Sequence, residues 1–428
     1  MRLAIKNGHL IEPASGVSER RDLLIEDGVV RGIGNGFEAE EVIDATGCVV
    51  CPGLVDIHVH FREPGFEAKE TIATGARAAA RGGFTSVVTM PNTNPAIDNA
   101  GMVEFVRRKA REEACINVWP AACATKHRAG NEMTEMAELK TAGAAAVTDD
   151  GSDIASSWVL RRVLEYASMC DLPYLAHCED ASLMEGGAMN EGYMSTRLGL
   201  PGMPKAMEEI RIDRNIRLAA LAGAHIHIQH VSSAEGVAIC RRAKEQGLKV
   251  TCETAPHYWT LTDEAVMTHG SNAKMNPPLR EAADREAVRN AIAEGVIDCI
   301  ATDHAPHTVA EKDVEVQLAP FGILGLETSL GLVITELVEP GVISLERAVD
   351  LMTRRGAEVL GLPVGRLYEG GRADVTLFDP KAEWTVNPEE SASLSRNTPF
   401  AGRALRGQVK ATICGGHVVY RAESGLTQ

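Results

Sequence analysis

A chain of 428 residues with 45% hydrophobic content is long enough to bury one large core and a smaller one beside it. Its formal net charge of −16 opposes binding to nucleic acid or an anionic membrane surface, and no apolar stretch approaches the roughly 20 residues of a membrane span. The ten cysteines are scattered, several of them (Cys170, Cys178, Cys240, Cys252, Cys299) within or beside expected core elements, and no signal peptide is visible, which fits reduced thiols in a cytoplasm.

Residues 1–50 read as strands and turns (RLAIKNGHLI, DLLIEDGVVRGIG, EVIDATGCVV), with Asn-Gly and Asp-Gly as turn signals. Cys48 and Cys51 form a CxxC with no second pair, so a thiolate site is not expected there. Residues 363–428 repeat the strand-and-turn style in ADVTLFDP and QVKATICGGHVVY. Neither end can close a core alone, so the two are expected to form one small β domain flanking the middle of the chain.

That middle, residues 51–362, alternates short apolar runs with Ala-rich helical stretches. Strands are expected at 54–60, 84–90, 115–121, 145–149, 173–177, 225–231, 248–253 and 297–302. Helical patterns such as TIATGARAAARGG and RIDRNIRLAALAG follow them, the latter ending on Gly223 as a C-cap would. Eight β-then-α units predict a (β/α)8 barrel whose active site lies at the C-terminal ends of the strands.

The chemistry-bearing residues fall at those ends. In LVDIHVHFREPG, His58 and His60 are two apart and share one face of a strand, so both imidazoles reach one ion. An HxH alone is a weak signal. Later strand ends strengthen it: VTDDG offers Asp149 and Asp150, between which spacing does not choose, LAHCE offers His177, IQHVS His230 and ATDHAPH Asp303. Imidazole and carboxylate donors on separate strands, without paired thiolates, suit zinc or a similar divalent ion with an open position.

Strand parity sharpens the assignment. In HIHIQH, alternation groups Ile226 and Ile228 with His230, which predicts that His230 tops the barrel interior while His225 and His227 pack outward. Asp56 shares the inward face of His58 and is placed to hold a ligand from below. His257 and His304 are expected to support or pack rather than ligate. Arg62, just past His60, has the planar fork that grips a carboxylate in two places. Asn92 after Pro91, Asn276 in an NPP loop and His307 after Pro306 add donors, and the segment 307–322 reads as a lid.

Together with PNTNP, MNPPLR and DHAPH, these residues resemble the class I dihydroorotases of the amidohydrolase superfamily over nearly the whole chain. The resemblance implies reversible interconversion of L-dihydroorotate and N-carbamoyl-L-aspartate, the ring-closing step of pyrimidine (UMP) synthesis, and a β-sandwich as the small domain. It implies zinc, one or two ions per subunit with two the expected number. His58 and His60 would hold the first ion, His177 and His230 the second, Asp150 would lie between them, and Asp303 would be both ligand and proton carrier. His60, Arg62, Asn92, Asn276, His307, Phe321 and Gly322 would contact substrate. Many superfamily members carry a carboxylated lysine where this chain has TDDG, a departure shared with a dihydroorotase subgroup. The resemblance also admits a homodimer and an association with aspartate transcarbamoylase. Two other readings share the fold: a hydantoinase or allantoinase, which Arg62 and the missing lysine disfavour, and an inactive scaffold for aspartate transcarbamoylase, which would lack several ligands.

Overall fold

A computed structural model describes residues 2–426. Parallel strands Leu54–Val59, Phe84–Thr89 and Asn117–Pro120 form one arc of a barrel. Tyr174–Ala176, Ile226–Ile228, Val250–Thr254 and Cys299–Ile300 form the other. The expected fourth strand at 145–149 is not a regular strand. An isolated bridge at Val147, to Ala122 on one side and Tyr174 on the other, joins the arcs, with backbone hydrogen bonds at Ala145, Ala146 and Thr148 beside it. The run GAAAVT supplies only Val147 and Thr148 as β-branched residues before the DDG turn, so little favours a longer strand. The ring closes where His304 pairs with Val59 and the His60 amide donates to the His304 carbonyl at 2.8 Å. Most other strands are shorter than their apolar runs, as in Ile226–Ile228 and Cys299–Ile300.

The helices lie against this ring on small faces. Ile72–Arg81 starts at a Thr71/Thr74 capping box and buries Ala76, Ala78, Ala79 and Ala80, which lets its backbone approach the strands closely. Ala206–Ala222 ends on Gly223 at φ 65°, the left-handed cap its sequence predicts. Among the described residues no helix is long and apolar enough to cross a membrane.

The parity reading of the sixth strand is overturned. Gln229 Nε2 approaches Met90 Sδ at 3.4 Å, and His227 Nε2 lies 3.1 Å from Glu253, so His227 and Gln229 face the barrel interior. Ile226 and Ile228 instead join the helix-side core with Ile212 and Ile216. The strand ends at Ile228, the alternation persists to Gln229, and His230 adopts φ 36°. That left-handed turn brings His230 to the mouth from a different parity. The matching expectation for Leu175, Cys299 and Ala301 holds, since they cluster with Val88 and Met90.

The chain ends build two sheets. Arg2–Lys6, Asp22–Glu26, Val29–Gly34 and Glu41–Asp44 make a four-stranded sheet. In a seven-stranded sheet, Val375–Thr385 from the C-terminal segment pairs antiparallel with Val49–Pro52. Leu3, Ile5, Leu23 and Ile25 of the first sheet pack against Leu10, Val50, Val375 and Ile413 of the second, which makes a sandwich. Its long hairpin, Val375–Thr385 with Ala404–Cys414, reaches the barrel. There Trp384, Phe400 and Leu405 share a cluster with Tyr258, Ile323 and Leu332.

Candidate active site

Three non-glycine residues at strand exits take left-handed backbone angles: Arg62 (φ 61°), His230 (φ 36°) and Asp303 (φ 49°). Each costs on the order of 1–3 kcal/mol and persists only because tertiary contacts over-determine it. These turns direct side chains into one polar focus at the C-terminal mouth.

At that focus the Asp150 carboxylate lies among four imidazoles. Its Oδ1 is 3.3 Å from His58 Nε2, 3.6 Å from His177 Nδ1 and 3.9 Å from His230 Nε2, and its Oδ2 is 3.5 Å from His60 Nε2. Asp303 Oδ1 is 3.0 Å from His60 Nε2 and 3.5 Å from His58 Nε2. His177 Nδ1 and His230 Nε2 are 2.8 Å apart. Donors bound tetrahedrally at about 2.1 Å from one ion stand about 3.4 Å from each other. His58, His60 and Asp303 form one group of convergent donor atoms, and His58, Asp150 and His230 another. The buried donor set therefore fits divalent metal.

Burial alone would raise the Asp303 carboxyl, but the His58 charge and the His60 hydrogen bond outweigh it and hold the group well below the usual range. The same balance, led by His58 against burial, keeps Asp150 ionised. Asp149 points elsewhere, accepting from the Thr125 amide at 3.0 Å and from the Thr125 hydroxyl. Behind the imidazoles stand orienting partners: Glu253 Oε1 at 2.6 Å from His58 Nδ1, Asn92 Oδ1 at 2.9 Å from His60 Nδ1 and Glu179 Oε2 at 3.2 Å from His177 Nε2. Asp56 acts through backbone rather than under a ring. It accepts from the His58 amide at 3.0 Å and from Thr302, tying the first strand to the eighth.

Above the focus lies a cleft of about 240 Å³ lined by His60, Arg62, Asn92, Asn276, His307, Phe321 and Gly322, the residues expected to meet substrate. Asn276 Nδ2 donates to Glu179. Arg62 Nε donates to the Pro306 carbonyl at 3.2 Å, and its Nη2 reaches His307 Nε2 at 3.3 Å. Burial lowers Arg62 to about 10, which leaves it a cation. His307 Nε2 lies 2.8 Å from the Phe321 carbonyl and Lys69 Nζ 3.5 Å from its Nδ1. The Phe321 carbonyl needs a donor and Lys69 an acceptor, which assigns the ring proton to Nε2 and makes the Arg62 approach a close contact rather than a hydrogen bond. Burial, then the charges of Arg62, Lys69 and Lys312, push His307 down to about 2, so it is neutral. A protein of net negative charge thus keeps a local cationic rim.

The segment expected to be a lid is stapled at both ends. Asn397, in the C-terminal segment, donates from Nδ2 to the Ala305 and Gly322 carbonyls, both at 3.0 Å, and accepts from the His307 amide at 3.1 Å. Lys312 Nζ donates to the carbonyls of Ser271 and Pro320 at 2.9 and 2.8 Å. Gly322 has φ 132°, and a Cβ there would stand 2.6 Å from the Ala305 Cβ and 3.2 Å from His307 Nε2, so only glycine fits. His257 packs on Tyr258 at 4.1 Å, and His304 accepts the Gly325 amide at 3.2 Å. Neither enters the donor set.

Sequence reasoning missed Glu253 and Asn397. A carboxylate closing the apolar run of the seventh strand was a readable signal for Glu253. Nothing local marked Asn397, whose partners are some 75 to 92 residues away.

A barrel with donors at its C-terminal mouth and a β-sandwich made from both chain ends defines a metal-dependent amidohydrolase acting on cyclic amides. Residues 214–420 match the amidohydrolase family and residues 47–236 the dihydro-orotase-like family. Among solved structures, L-hydantoinase (dihydropyrimidinase) from Arthrobacter aurescens superposes with a TM-score of 0.90 at 27% identity, covering 100% of this chain and 97% of its own. Dihydropyrimidinase from Brevibacillus agri gives 0.88 at 26%, covering 99% and 96%. Sequence similarity is higher to enzymes of another kind. Dihydroorotase of Pelobacter propionicus is 50% identical over 98% of this chain and 100% of its own length, and that of Pelotomaculum thermopropionicum 51% over 98% of both. The chain belongs to the dihydroorotase family.

Proposed function

We propose that the cleft opens the ring of L-dihydroorotate to N-carbamoyl-L-aspartate and closes it in reverse, the ring-forming step of pyrimidine synthesis. The observation that carries this reading is the Asp150 carboxylate among four histidines, directly below a cleft that presents Arg62. His58 and His60 would hold one zinc ion, His177 and His230 a second, with Asp150 between them and Asp303 beside the first. When bound, such an ion polarises the amide carbonyl and lowers the pKa of water from roughly 15.7 to about 7.

Arg62 grips the substrate α-carboxylate bidentately, and its position at the rim fixes the ring relative to the donors below. Asn92 and Asn276 supply amide donors, His307 supplies a neutral ring, and the Phe321–Gly322 backbone closes the cleft around substrate. In hydrolysis the amide C–N bond breaks, the carbonyl carbon gains the water oxygen and the ring nitrogen gains a proton. Asp303, ionised and 3.0 Å from His60, takes that proton from the water and delivers it to nitrogen. In cyclisation it runs the transfer backwards.

The chain is further proposed to divide at residues 1–50, 51–362 and 363–428, supported by the sheet that the two outer segments share. All ten cysteines are free, which supports a reducing cytoplasm. The deciding experiment assays one purified sample with dihydroorotate, hydantoin and allantoin alongside elemental analysis, and repeats it with Asp303→Asn. Ring opening of dihydroorotate alone, with metal kept and turnover lost in the variant, is the expected result. Turnover of hydantoin in preference to dihydroorotate refutes the substrate, and near-normal kcat in Asp303→Asn refutes the proton carrier.

A further inference from the structure

The seventh barrel strand, Val250–Thr254, places the Glu253 carboxylate inside the barrel, paired across to Cys299 of the next strand. Glu253 is 1% exposed, and a carboxylate that deep survives only with both oxygens paired. Its two partners are imidazoles. Oε1 lies 2.6 Å from His58 Nδ1 and Oε2 3.1 Å from His227 Nε2. His227 Nδ1 in turn lies 2.9 Å from Thr251 Oγ1, which is 2.8 Å from His225 Nε2. A hydrogen-bonded chain thus runs down the barrel interior from His58 to the foot of the sixth strand.

One end of this chain governs the candidate metal centre. Gln229 Nε2 also approaches His58 Nδ1, at 3.2 Å, but the Glu253 contact is shorter and charge-assisted, so it places the proton on Nδ1. That leaves Nε2 of His58, 3.3 Å from Asp150 and 3.5 Å from Asp303, as the nitrogen that would ligate metal. His60 differs, since the group behind its Nδ1 is the neutral amide oxygen of Asn92. A carboxylate behind a ligating imidazole fixes the ring and makes it a stronger donor. The lower contact keeps Glu253 itself in place, because His227 occupies the oxygen that would otherwise be left bare.

We infer that Glu253 is a positioning residue that sets the tautomer and orientation of His58 and thereby tightens metal binding, with His227 bracing it from below. This rests on the reading of His58 as a metal ligand.

The test uses the full chain. Metal-free protein is titrated with zinc against a competing chelator, for the wild type, Glu253→Gln, His227→Gln and His58→Ala, and the ring nitrogens of His58 are observed by ¹⁵N NMR in the zinc-loaded wild type. Glu253→Gln is expected to weaken zinc about 10- to 100-fold while KM for dihydroorotate stays within about twofold. His227→Gln, whose amide still donates to Oε2, is expected to retain affinity within about threefold, and wild-type His58 is expected to carry its proton on Nδ1. Unchanged affinity in Glu253→Gln overturns the inference provided His58→Ala weakens zinc. Unchanged affinity in His58→Ala refutes the ligand reading itself. Should Glu253→Gln fail to fold, the wild-type spectrum decides alone, and a proton on Nε2 of His58 overturns the proposal.

Discussion

Asp149 and Asp150 leave one tight turn in opposite directions: Asp149 binds the amide and hydroxyl of Thr125, and Asp150 faces His58 at 3.3 Å. Asp150→Ala should therefore deplete bound metal, the more weakly held ion first, and abolish turnover. Asp149→Ala should leave metal content nearly intact and cost about 1–3 kcal/mol of stability through the unpaired Thr125 groups. Elemental analysis and thermal denaturation of both variants check this, and metal loss in Asp149→Ala with retention in Asp150→Ala would reverse the assignment.

Arg62→Lys keeps a positive charge and loses the fork. Since hydrogen bonds to charged groups are worth about 1.5–3 kcal/mol, KM for dihydroorotate should rise roughly 10- to 100-fold with metal content unchanged. Steady-state kinetics in both directions measure it. Unaltered KM would place the substrate carboxylate elsewhere.

Asn397→Ala removes one acceptor and two donor contacts that staple Ala305, His307 and Gly322. The expected outcome is a loss of about 3 kcal/mol in stability together with a raised KM, while the metal centre stays loaded. A lower Tm with unchanged KM would show that the staple serves the fold alone.

His307 provides a pH test with a definite sign. Its folded value, pushed down to about 2 by burial and three cations, lies below an unfolded value near 6.5. The unfolded chain therefore binds the extra proton first, so this group's contribution to stability is complete above about pH 6.5 and is lost as pH falls below it. In the free protein the His307 ring resonances should stay flat between pH 8 and pH 5. A titration with a midpoint near 6.5 would show that the ring is solvated or that Phe321 and Lys69 do not hold it.

Much of this molecule is legible in one dimension. Eight apolar runs separated by helical patterns dictate a barrel because each run must bury both faces, and a barrel puts the run ends, and so His58, His60, Asp150, His177, His230 and Asp303, at one mouth. The Ala-rich helix Ile72–Arg81 and the Gly223 cap are likewise local consequences of residue type.

What sequence could not decide depends on departures from regular geometry and on long-range pairing. The alternation that grouped Ile226 and Ile228 with His230 assumed a strand that continues, whereas the chain turns left-handed at His230 and places His227 and Gln229 inside. The choice of Asp150 over Asp149 is a matter of which carboxylate a turn aims at four distant imidazoles, and no spacing rule encodes it. Glu253 and Asn397 act on His58 and His307 across 195 and 90 residues. Local propensity and period set the elements, but only closure of the barrel and docking of the C-terminal segment bring those partners within hydrogen-bond reach. Sequence by itself thus determined the ring of strands and the donors at its mouth, and tertiary structure decided their aim.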